Sequence, residues 1–306
     1  MIFSTGLSPA WQQILSLDTF QPGEVNRVQD AIWCASGKAI NVAMAAHTLG
    51  APVSLLTSIG GLSGDVIERE CTHMGLHAEW IRTQQATRVC TTVLSRSGGT
   101  TELVEEMADL EPEALNLFHE YARTYANVAD VIVFTGSLPR NVPPETFAQV
   151  MRLVHKKFLL DLRGPALQYC LPFAPFIIKP NRAELEETFG ETLDSDEKLL
   201  TAMRRMNDGG ATWVVVSDGE QGVRVTSEES AFRLLPARVE TVNPIGCGDS
   251  LAAGIAVSLR EDENVIEAVR LGMGAAAHNA EQLLPARLDP DRSRELADQV
   301  VIQEWN

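Results

Sequence analysis

Short apolar runs bounded by turn residues alternate with helical patterns along this chain, and this alternation restricts its fold more than any other feature. Such runs are typical of strands that are buried on both faces of a parallel sheet. We predict strands over Val53–Leu56, Val131–Phe134, Phe158–Leu160, Phe176–Ile178 and Trp213–Val216. We predict helices over Ile40–Leu49, Pro144–His155, Ala183–Phe189, Glu197–Met206, Ser250–Leu259, Val265–Gln282 and Arg292–Val300. Repeated strand–helix units indicate an α/β fold with a doubly wound, mostly parallel sheet flanked by helices.

Two segments interrupt this rhythm. Ile14–Trp33 and Ala86–Met107 are rich in alternating Val, Thr and Leu and contain no helical stretch between their halves. This pattern predicts antiparallel ribbons that project from the core as a small antiparallel β lid, formed by residues 10–36 and 86–107. Since the sequence has no internal repeat and no low-complexity linker, we predict one domain over residues 1–306.

The chain is strongly acidic, with 25 Lys and Arg against 41 Asp and Glu residues and a formal net charge of −16. Nucleic-acid and membrane-surface binding need basic faces, so the composition argues against both kinds of partner. An acidic protein that binds anions must gather its few cations locally, which makes single Lys and Arg positions informative. The five cysteines form no CxxC pair, and neither a signal peptide nor a membrane-length apolar run is evident. We therefore expect a reduced, soluble, cytoplasmic protein.

The stretch NPIGCGDSLAAGI (243–255) combines a glycine turn with a helix that begins near Asp249. The amides of Gly246, Cys247 and Gly248 form a candidate anion site at a helix N-terminus. Neither a Walker A loop nor a GxGxxG dinucleotide fingerprint is present in the chain. Asp249 alone has two interpretations: an ordinary helix cap, or a general base for a hydroxyl that attacks a phosphoryl group. Spacing does not decide between them.

Further motifs follow one another over nearly the whole chain: GEVNRV (23–28), SGKAINVAMAAHTLG (36–50), TRVCTTV (87–93), TELVE (101–105), TGSLP (135–139), KPNRAELEETFG (179–190) and VVSDGEQGV (215–223). Together with NPIGCGDSLAAGI they resemble the ribokinase-like (PfkB) carbohydrate kinases, especially the 1-phosphofructokinase and tagatose-6-phosphate kinase branch. Each motif is weak by itself, whereas their common order is specific. The resemblance implies a ribokinase-like fold and phosphoryl transfer from ATP.

By this resemblance, Asp249 is the general base for the acceptor hydroxyl, and the amides of residues 246–248 receive the charge of the transferring phosphoryl group. Asn181 and Glu184 match an NxxE pattern that helps organise Mg²⁺ through water and the nucleotide phosphates. A base, an anion hole and Mg²⁺ suffice chemically, because phosphoryl transfer depends mainly on positioning and charge stabilisation. Taken alone, Glu184 is equally well explained as a solvated helix charge.

The resemblance also implies a nucleotide site over the loop that contains Ser217, Gly219 and Gly222, with Asn279 lining the adenine pocket. The two glycines would let the backbone approach the nucleotide closely. The same loop is also explained as an ordinary turn between strands, and Asn279 as a solvated residue of a helix.

Substrate specificity turns on three cations, Arg27, Lys38 and Arg88, which match positions that bind the phosphate already present on the sugar in relatives. Singly, each is explained as a solvated surface charge. Together, on an acidic chain and each inside a motif, they indicate a phosphosugar acceptor, because Arg and Lys bind phosphate well. Further positions that we expect to bind the substrate are Gly37, Asn41 and Glu105.

The chain departs from the family pattern at the start of the lid and before the anion hole. Relatives begin the lid with Asn-Pro-Ala-x-Asp, whereas SPAWQ (8–12) places Gln12 at the position of the sugar-binding Asp. Gln12 keeps hydrogen-bonding capacity but loses the charge. Ala39 replaces a glycine of the GGKG segment, and Pro244 replaces a Thr. These changes leave phosphoryl transfer intact and put the identity of the sugar in question.

We therefore expect an ATP- and Mg²⁺-dependent kinase of a phosphorylated ketohexose, of the fructose-1-phosphate, fructose-6-phosphate or tagatose-6-phosphate type. Two alternatives stay open: a kinase of an unphosphorylated sugar or nucleoside, and a non-catalytic sugar-phosphate-binding protein. Because apolar alternation on so small a lid would expose a hydrophobic face, we also expect a homodimer formed through the lid.

Overall fold

The fold is taken from a computed structural model, which describes residues 1–97 and 99–305. Residue 98 of the predicted lid range and residue 306 of the predicted domain range lie outside the described residues. In the described ranges, no helix is both long enough and apolar enough to cross a membrane.

The described residues contain fourteen strands and ten α-helices. The strands are β1 (Ile2–Thr5), β2 (Ala10–Leu17), β3 (Asp30–Ser36), β4 (Val53–Gly60), β5 (His77–Thr83), β6 (Val89–Ser95), β7 (Gly99–Val104), β8 (Val131–Thr135), β9 (Lys157–Asp161), β10 (Ile177–Ile178), β11 (Trp213–Ser217), β12 (Val223–Thr226), β13 (Ala231–Leu235) and β14 (Val301–Glu304). The helices are α1 (Lys38–Thr48), α2 (Gly61–His73), α3 (Pro112–Val128), α4 (Thr146–Met151), α5 (Gly164–Cys170), α6 (Arg182–Phe189), α7 (Asp196–Asp208), α8 (Cys247–Arg260), α9 (Val265–Glu281) and α10 (Pro290–Asp298).

The larger sheet has ten strands in the order β14-β13-β12-β11-β10-β9-β8-β1-β4-β5. The seven strands from β11 to β5 pair in parallel, and β12, β13 and β14 add an antiparallel edge. The predicted α/β class with a mostly parallel sheet flanked by helices is confirmed. All five predicted strands are present, whereas β1, which lies between β8 and β4, is a short strand that the pattern analysis missed.

Both faces of the large sheet are buried, which explains its uninterrupted apolar strands. Along β8, Val131 and Val133 point into the core under α1, α8 and α9. The alternate residues Ile132 and Phe134 point into the second core, under α3, α4 and α7. Strand side chains alternate between faces, so a strand covered by helices on both sides must be apolar at every position.

The smaller sheet has four strands in the order β3-β2-β6-β7 and lies within the predicted lid ranges. The hairpins β2–β3 and β6–β7 are antiparallel, as the ribbons predicted. They join through a parallel pairing of β2 with β6, in which Trp11 stands opposite Val89. Alternation along one segment indicates a strand but carries no information about which strand lies beside it.

Two long helices, α2 and α3, were not predicted, and their buried faces explain why. The buried residues of α3 are Ala114, Phe118, Ala122 and Ala126, so small alanines form most of its apolar stripe. The buried residues of α2 are Gly64, Ile67 and Cys71, which give an equally weak periodic signal. Of the predicted helices, the pattern over 144–155 corresponds to the shorter α4, and that over 292–300 to α10, which begins at Pro290.

Candidate active site

Charged and polar side chains gather where the parallel strands of the large sheet end. Thr135 and Asp161 are the last residues of β8 and β9 and stand opposite each other in register. Lys179 follows β10 directly, and Ser217 ends β11. Ligands of open α/β sheets bind outside the carboxyl ends of the strands, so this edge is the expected place for a site.

Asp161 lies at the centre of this group and is buried. Its Oδ1 is 3.1 Å from the Lys179 Nζ, and its Oδ2 is 3.4 Å from the Lys38 Nζ and accepts a 2.9 Å hydrogen bond from Thr135 Oγ1. Burial alone would raise the pKa of Asp161, but Lys179 and Lys38 outweigh it and hold that pKa below its usual range. The carboxylate is therefore ionised, and it compensates two ammonium groups.

Lys38 begins α1 and connects two carboxylates from distant parts of the chain. Besides Asp161, its Nζ donates a 3.0 Å hydrogen bond to Glu184 Oε1, in the first turn of α6. Burial lowers the pKa of Lys38, and the surrounding carboxylates Asp161, Glu184 and Asp249 together raise it above its ordinary value. The predicted sugar-phosphate lysine thus remains a cation, engaged by carboxylates.

The first turn of α8 presents backbone amides to the same space. Gly246 precedes the helix with φ 82°, a conformation that favours glycine, and a Cβ there would lie 2.8 Å from Pro285 Cβ. The Cys247 amide makes only a long 3.4 Å bond to the Pro244 carbonyl. In the described residues no acceptor pairs with the Gly248 amide, and a Cβ on Gly248 would lie 3.7 Å from Lys179 Nζ. The backbone of Gly248, with its free amide, therefore lies beside the Lys179 ammonium group, an arrangement compatible with anion binding.

Asp249 lies in this first turn of α8 and is almost fully buried. Its Oδ2 accepts a 2.7 Å hydrogen bond from Asn41 Nδ2, and Asn41 Oδ1 in turn accepts one from Ser36 Oγ at 3.3 Å. Burial, together with the nearby charge of Asp161, raises the pKa of Asp249 to about 6, although Lys38, Asn41 and Lys179 oppose the shift. A carboxylate with this pKa is ionised at neutral pH and more basic than an ordinary Asp, which suits a proton acceptor.

Asn181 and Glu184 form a capping box at the start of α6. Glu184 N donates to Asn181 Oδ1 at 2.8 Å, and Asn181 N donates to Glu184 Oε2 at 2.9 Å. This arrangement is the local reason that α6 begins here. An isolated parallel bridge pairs Asn181 with Ser217, so the structure brings these two predicted nucleotide-site residues side by side.

The remaining residues of the predicted nucleotide loop form a short 3₁₀ turn after β11. Gly219 and Gly222 have φ values of 51° and 85°, and a Cβ on Gly222 would lie 2.1 Å from the Leu234 carbonyl oxygen. No described atom lies within 4 Å of a Cβ built on Gly219. The loop is also tied to α6, because Arg182 and Asp218 form an ion pair at 2.9 Å. Glycine is thus required at residue 222 by its own fold, while residue 219 faces open space.

Asn279, predicted to line the adenine pocket, is fully buried in α9. Its Oδ1 accepts hydrogen bonds from the Ala286 amide at 2.7 Å and from Ser250 Oγ at 3.0 Å. Its Nδ2 donates to the Ile245 carbonyl at 2.8 Å. These contacts hold the turn before α8, so Asn279 fixes the start of that helix, and its predicted contact with a nucleotide stays a prediction.

Three predicted substrate residues of the lid, Gln12, Arg88 and Glu105, form hydrogen bonds within the protein. Gln12 and Arg88 bond to the protein: Gln12 Nε2 donates to Thr92 Oγ1 at 2.8 Å, and the Arg88 guanidinium lies near the carbonyls of Ser8, Pro9 and Glu105. Glu105 itself accepts a 2.8 Å bond from the Val89 amide.

Arg27 is exposed on the loop between β2 and β3, and no carboxylate of the described residues lies within 4 Å of its guanidinium. Gly37, with φ 105°, passes so close to the Ser8 carbonyl that a Cβ would lie 2.6 Å from it.

Comparison with known proteins places this site in a family. Residues 11–291 match the pfkB family of carbohydrate kinases. The chain belongs to that family. It is therefore a carbohydrate kinase, an enzyme that transfers a phosphoryl group to a hydroxyl of its substrate.

Solved structures share the fold of this kinase over nearly its whole length. A possible 1-phosphofructokinase from Thermotoga maritima is 17% identical with a TM-score of 0.90, covering 100% of this chain and 99% of that one. Phosphofructokinase-2 from Escherichia coli, solved in complex with substrates and products, is 24% identical with a TM-score of 0.89, covering 97% and 98%. Ribokinase from Thermotoga maritima is 21% identical with a TM-score of 0.78, covering 97% and 99%. The ribokinase-like fold of the kinase follows from this likeness.

Two charged residues of the site, Asp161 and Lys179, were missed by the pattern analysis of the sequence. Each follows a predicted strand immediately, Phe158–Leu160 and Phe176–Ile178 respectively. A charged residue at the carboxyl end of a strand predicted to be central in a parallel sheet would have been the signal, because that edge faces the ligand.

We predict that Asp161→Asn lowers the free energy of unfolding of the kinase by about 3–5 kcal/mol, because it leaves the buried Lys179 ammonium without a carboxylate. Denaturant unfolding at pH 7 measures this loss. The matched control is Glu187→Gln, which breaks the exposed 3.2 Å pair with Arg163 and should change stability by less than about 1 kcal/mol.

The pH dependence of this loss has a defined sign. Because the folded pKa of Asp161 is lowered, its stabilising contribution is present above its unfolded pKa, about 4, and disappears as pH falls through the folded pKa. The difference between the kinase and Asp161→Asn should therefore shrink in acid. A loss at pH 7 no larger than that of the control would contradict the central role of Asp161.

Proposed function

We propose that this kinase transfers the γ-phosphoryl group of ATP, with Mg²⁺, to a hydroxyl of a phosphorylated ketohexose, with Asp249 as the general base. The observation that carries the proposal is the juxtaposition of a basic, buried carboxylate with the unpaired amide of Gly248 and the ammonium of Lys179.

This arrangement supports both halves of the reaction. The Asp249 carboxylate accepts the proton of the attacking hydroxyl, and the 2.7 Å hydrogen bond from Asn41 fixes the orientation of that carboxylate. The Gly248 amide stabilises negative charge on the transferring group, and its position is set before the substrate arrives. Burial excludes water from the carboxylate and so keeps it basic.

The residues around Glu184 fit a hydrated Mg²⁺ ion that accompanies the nucleotide. Mg²⁺ prefers oxygen ligands and retains several waters, and it is usually bound by few carboxylates together with substrate phosphates. Both Glu184 oxygens accept hydrogen bonds, from Lys38 and from the Asn181 amide, so a contact through water fits better than a direct bond. When bound, Mg²⁺ would neutralise charge on the nucleotide phosphates.

The acceptor is the less constrained part of the proposal. Arg27, in the lid, and Lys38, at the adjoining start of α1, support an acceptor that already carries a phosphate, since both are cations within motifs of an acidic chain. One observation favours the alternative, a kinase of an unphosphorylated sugar: Lys38 is engaged by Asp161 and Glu184, and Arg88 by backbone carbonyls. Arg27 is then the cation that best separates the two functions.

We predict that Arg27→Ala raises the KM for the phosphosugar at least tenfold, because it removes one charge-assisted contact with phosphate, and leaves the KM for ATP unchanged. ADP release with ATP and Mg²⁺ is measured on fructose 1-phosphate, fructose 6-phosphate and tagatose 6-phosphate, and on fructose, ribose and adenosine. Arg96→Ala is the control, since Arg96 is an exposed lid arginine that pairs with Asp18. Turnover on the unphosphorylated acceptors alone would overturn the phosphosugar assignment.

We predict that Asp249→Asn lowers kcat about 100- to 10,000-fold, because the amide cannot accept the proton, while calorimetry still shows ATP binding. In the unsubstituted kinase, kcat/KM should fall about tenfold per pH unit below pH 6, where Asp249 is protonated. Asn41→Leu removes a hydrogen bond that lowers this pKa, so the acid limb of the pH profile should move to higher pH. An acid limb unaffected by Asn41→Leu, or full activity of Asp249→Asn, would exclude Asp249 as the base.

We also propose that the kinase forms a homodimer through its lid. Five lid residues expose large fractions of apolar side chains: Val25, Val28, Trp33, Leu103 and Val104. Trp33 stacks on Trp11 with ring centroids 6.0 Å apart, which adds a rigid aromatic surface. Large apolar side chains exposed on so small a sheet support an interface between subunits.

One chain has a mass of 33.4 kDa. We predict that light scattering at micromolar concentration gives twice this mass, and that Leu103→Glu shifts the kinase to the monomer. A charge buried at such an interface would lack a partner, which is costly. Leu62→Glu is the control, because Leu62 is 84% exposed in α2, outside the lid. A monomer before substitution, or equal effects of both variants, would contradict a lid dimer.

A further inference from the structure

A cavity lies at the amino ends of the parallel strands of the large sheet, whereas Asp249 lies near their carboxyl ends. Its lining includes Asp130, Lys157 and Phe176, which precede or begin the strands β8, β9 and β10. Because these strands are parallel, their first residues lie together at one end of the strands, and the Asp161 cluster lies at the other end. The cavity has a volume of about 650 Å³, within the range of sites for metabolites and cofactors.

The cavity gathers cations on a chain whose net charge is strongly negative. Lys156, Lys157 and Arg260 line it, against the carboxylates Asp130 and Asp262. Lys157 is neutralised by Asp262, with Nζ and Oδ1 3.0 Å apart. In the described residues no carboxylate lies within 4 Å of the Lys156 ammonium, although its positive charge helps the Met1 ammonium group to lower the pKa of Asp130. Arg260 lies near Asp130, but that carboxylate is already paired with the Met1 ammonium group, so Lys156 and Arg260 are the cations that a ligand could engage.

Arg260 supplies the clearest sign of a missing partner. Its Nε is buried, and within the described residues no atom accepts a hydrogen bond from it. The nearest carboxylate oxygen, Asp130 Oδ2, is 3.9 Å away, which is beyond hydrogen-bonding distance. A buried donor without an acceptor is destabilising, and an oxyanion of a bound ligand would supply the missing acceptor.

The same cavity has an aromatic wall. Phe173, 39% exposed, and Phe176, half-buried, both line it, and the Lys157 ammonium lies 5.9 Å from the centre of the Phe176 ring. An exposed aromatic ring such as that of Phe173 favours a flat apolar group, since offset stacking adds to the burial of area.

We propose that this cavity binds a small organic phosphate that carries a planar ring, of the class of nucleoside monophosphates, with Lys156 and Arg260 on the phosphate and Phe173 and Phe176 against the ring. This binding is separate from the phosphoryl-transfer site and does not depend on the function proposed for it.

The cavity is connected to the catalytic edge by one continuous helix. The helix α8 begins at Cys247 and ends at Arg260, and its 14 residues span about 21 Å. Along this path Gly254 packs so tightly on α9 that a Cβ would lie 2.6 Å from Gly272 Cα. A ligand on Arg260 thus contacts the helix that carries Asp249.

The test uses calorimetric titration of the full chain with AMP, in parallel with inorganic phosphate and with adenosine. AMP should bind at least tenfold more tightly than either part alone, because phosphate and ring occupy different walls. The double variant Lys156→Gln with Arg260→Gln should weaken AMP binding at least tenfold. The control Lys198→Gln, at an exposed lysine paired with Asp194 in α7, should leave the AMP affinity unchanged.

Each other outcome overturns the proposal. Unchanged AMP affinity in the double variant would place AMP elsewhere, for instance on the loop 217–222. Phosphate binding as tightly as AMP would remove the ring subsite, and adenosine binding as tightly would remove the phosphate subsite. Thermal unfolding of the double variant must match that of the unsubstituted kinase. If it does not, the single variants Phe173→Ala and Arg260→Lys replace it, and they must each weaken AMP binding.

Discussion

The ion pairs of Asp161 with Lys38 and Lys179 are the interaction on which the candidate active site, at the carboxyl ends of the parallel strands, depends. Removing a charge from water costs several kcal/mol per ion, so a buried lysine is tolerated only beside a carboxylate with good geometry. Asp161 meets this need for strands β9 and β10, and through Lys38 for the start of α1. The same network reaches α6 through Glu184. Four separate segments are therefore held at one place by electrostatics, above a core held by apolar packing.

That network also sets the protonation of Asp249. Two carboxylates that lie close in a buried site cannot both ionise freely, and their pKa values move apart. Here Asp161, beside two ammonium groups, has a lowered pKa, whereas Asp249, which has one strong hydrogen bond from Asn41, has a pKa raised to about 6. The pair thus divides its roles by environment: Asp161 stays a fixed charge, and Asp249 is able to exchange a proton near neutral pH.

Much of the fold could be predicted from the sequence where the signal is local. The helix predicted over 250–259 is α8, because its apolar residues recur all round and its glycine turn marks its start. The alanine stripe of α3 gave no such signal, and the parallel pairing of β2 with β6 joins residues far apart in the chain. Motif order pointed to Asp249 as a candidate but not to Asp161 and Lys179, whose place beside it depends on which strands become neighbours.

The lid and the anion hole are connected by contacts that restrict how either can move. The amide of Ala35, in β3, donates a 2.7 Å hydrogen bond to Glu70, which forms an ion pair at 2.5 Å with Arg287. Arg287 bonds to the carbonyl of Pro285, the residue that packs against Gly246 at the turn before α8. A displacement of the base of β3 must therefore break the Glu70 hydrogen bond or shift the turn that supplies the amides. The base of β3 and the turn before α8 are thus connected by the polar contacts from Ala35 to Pro285 and by the packing of Pro285 against Gly246.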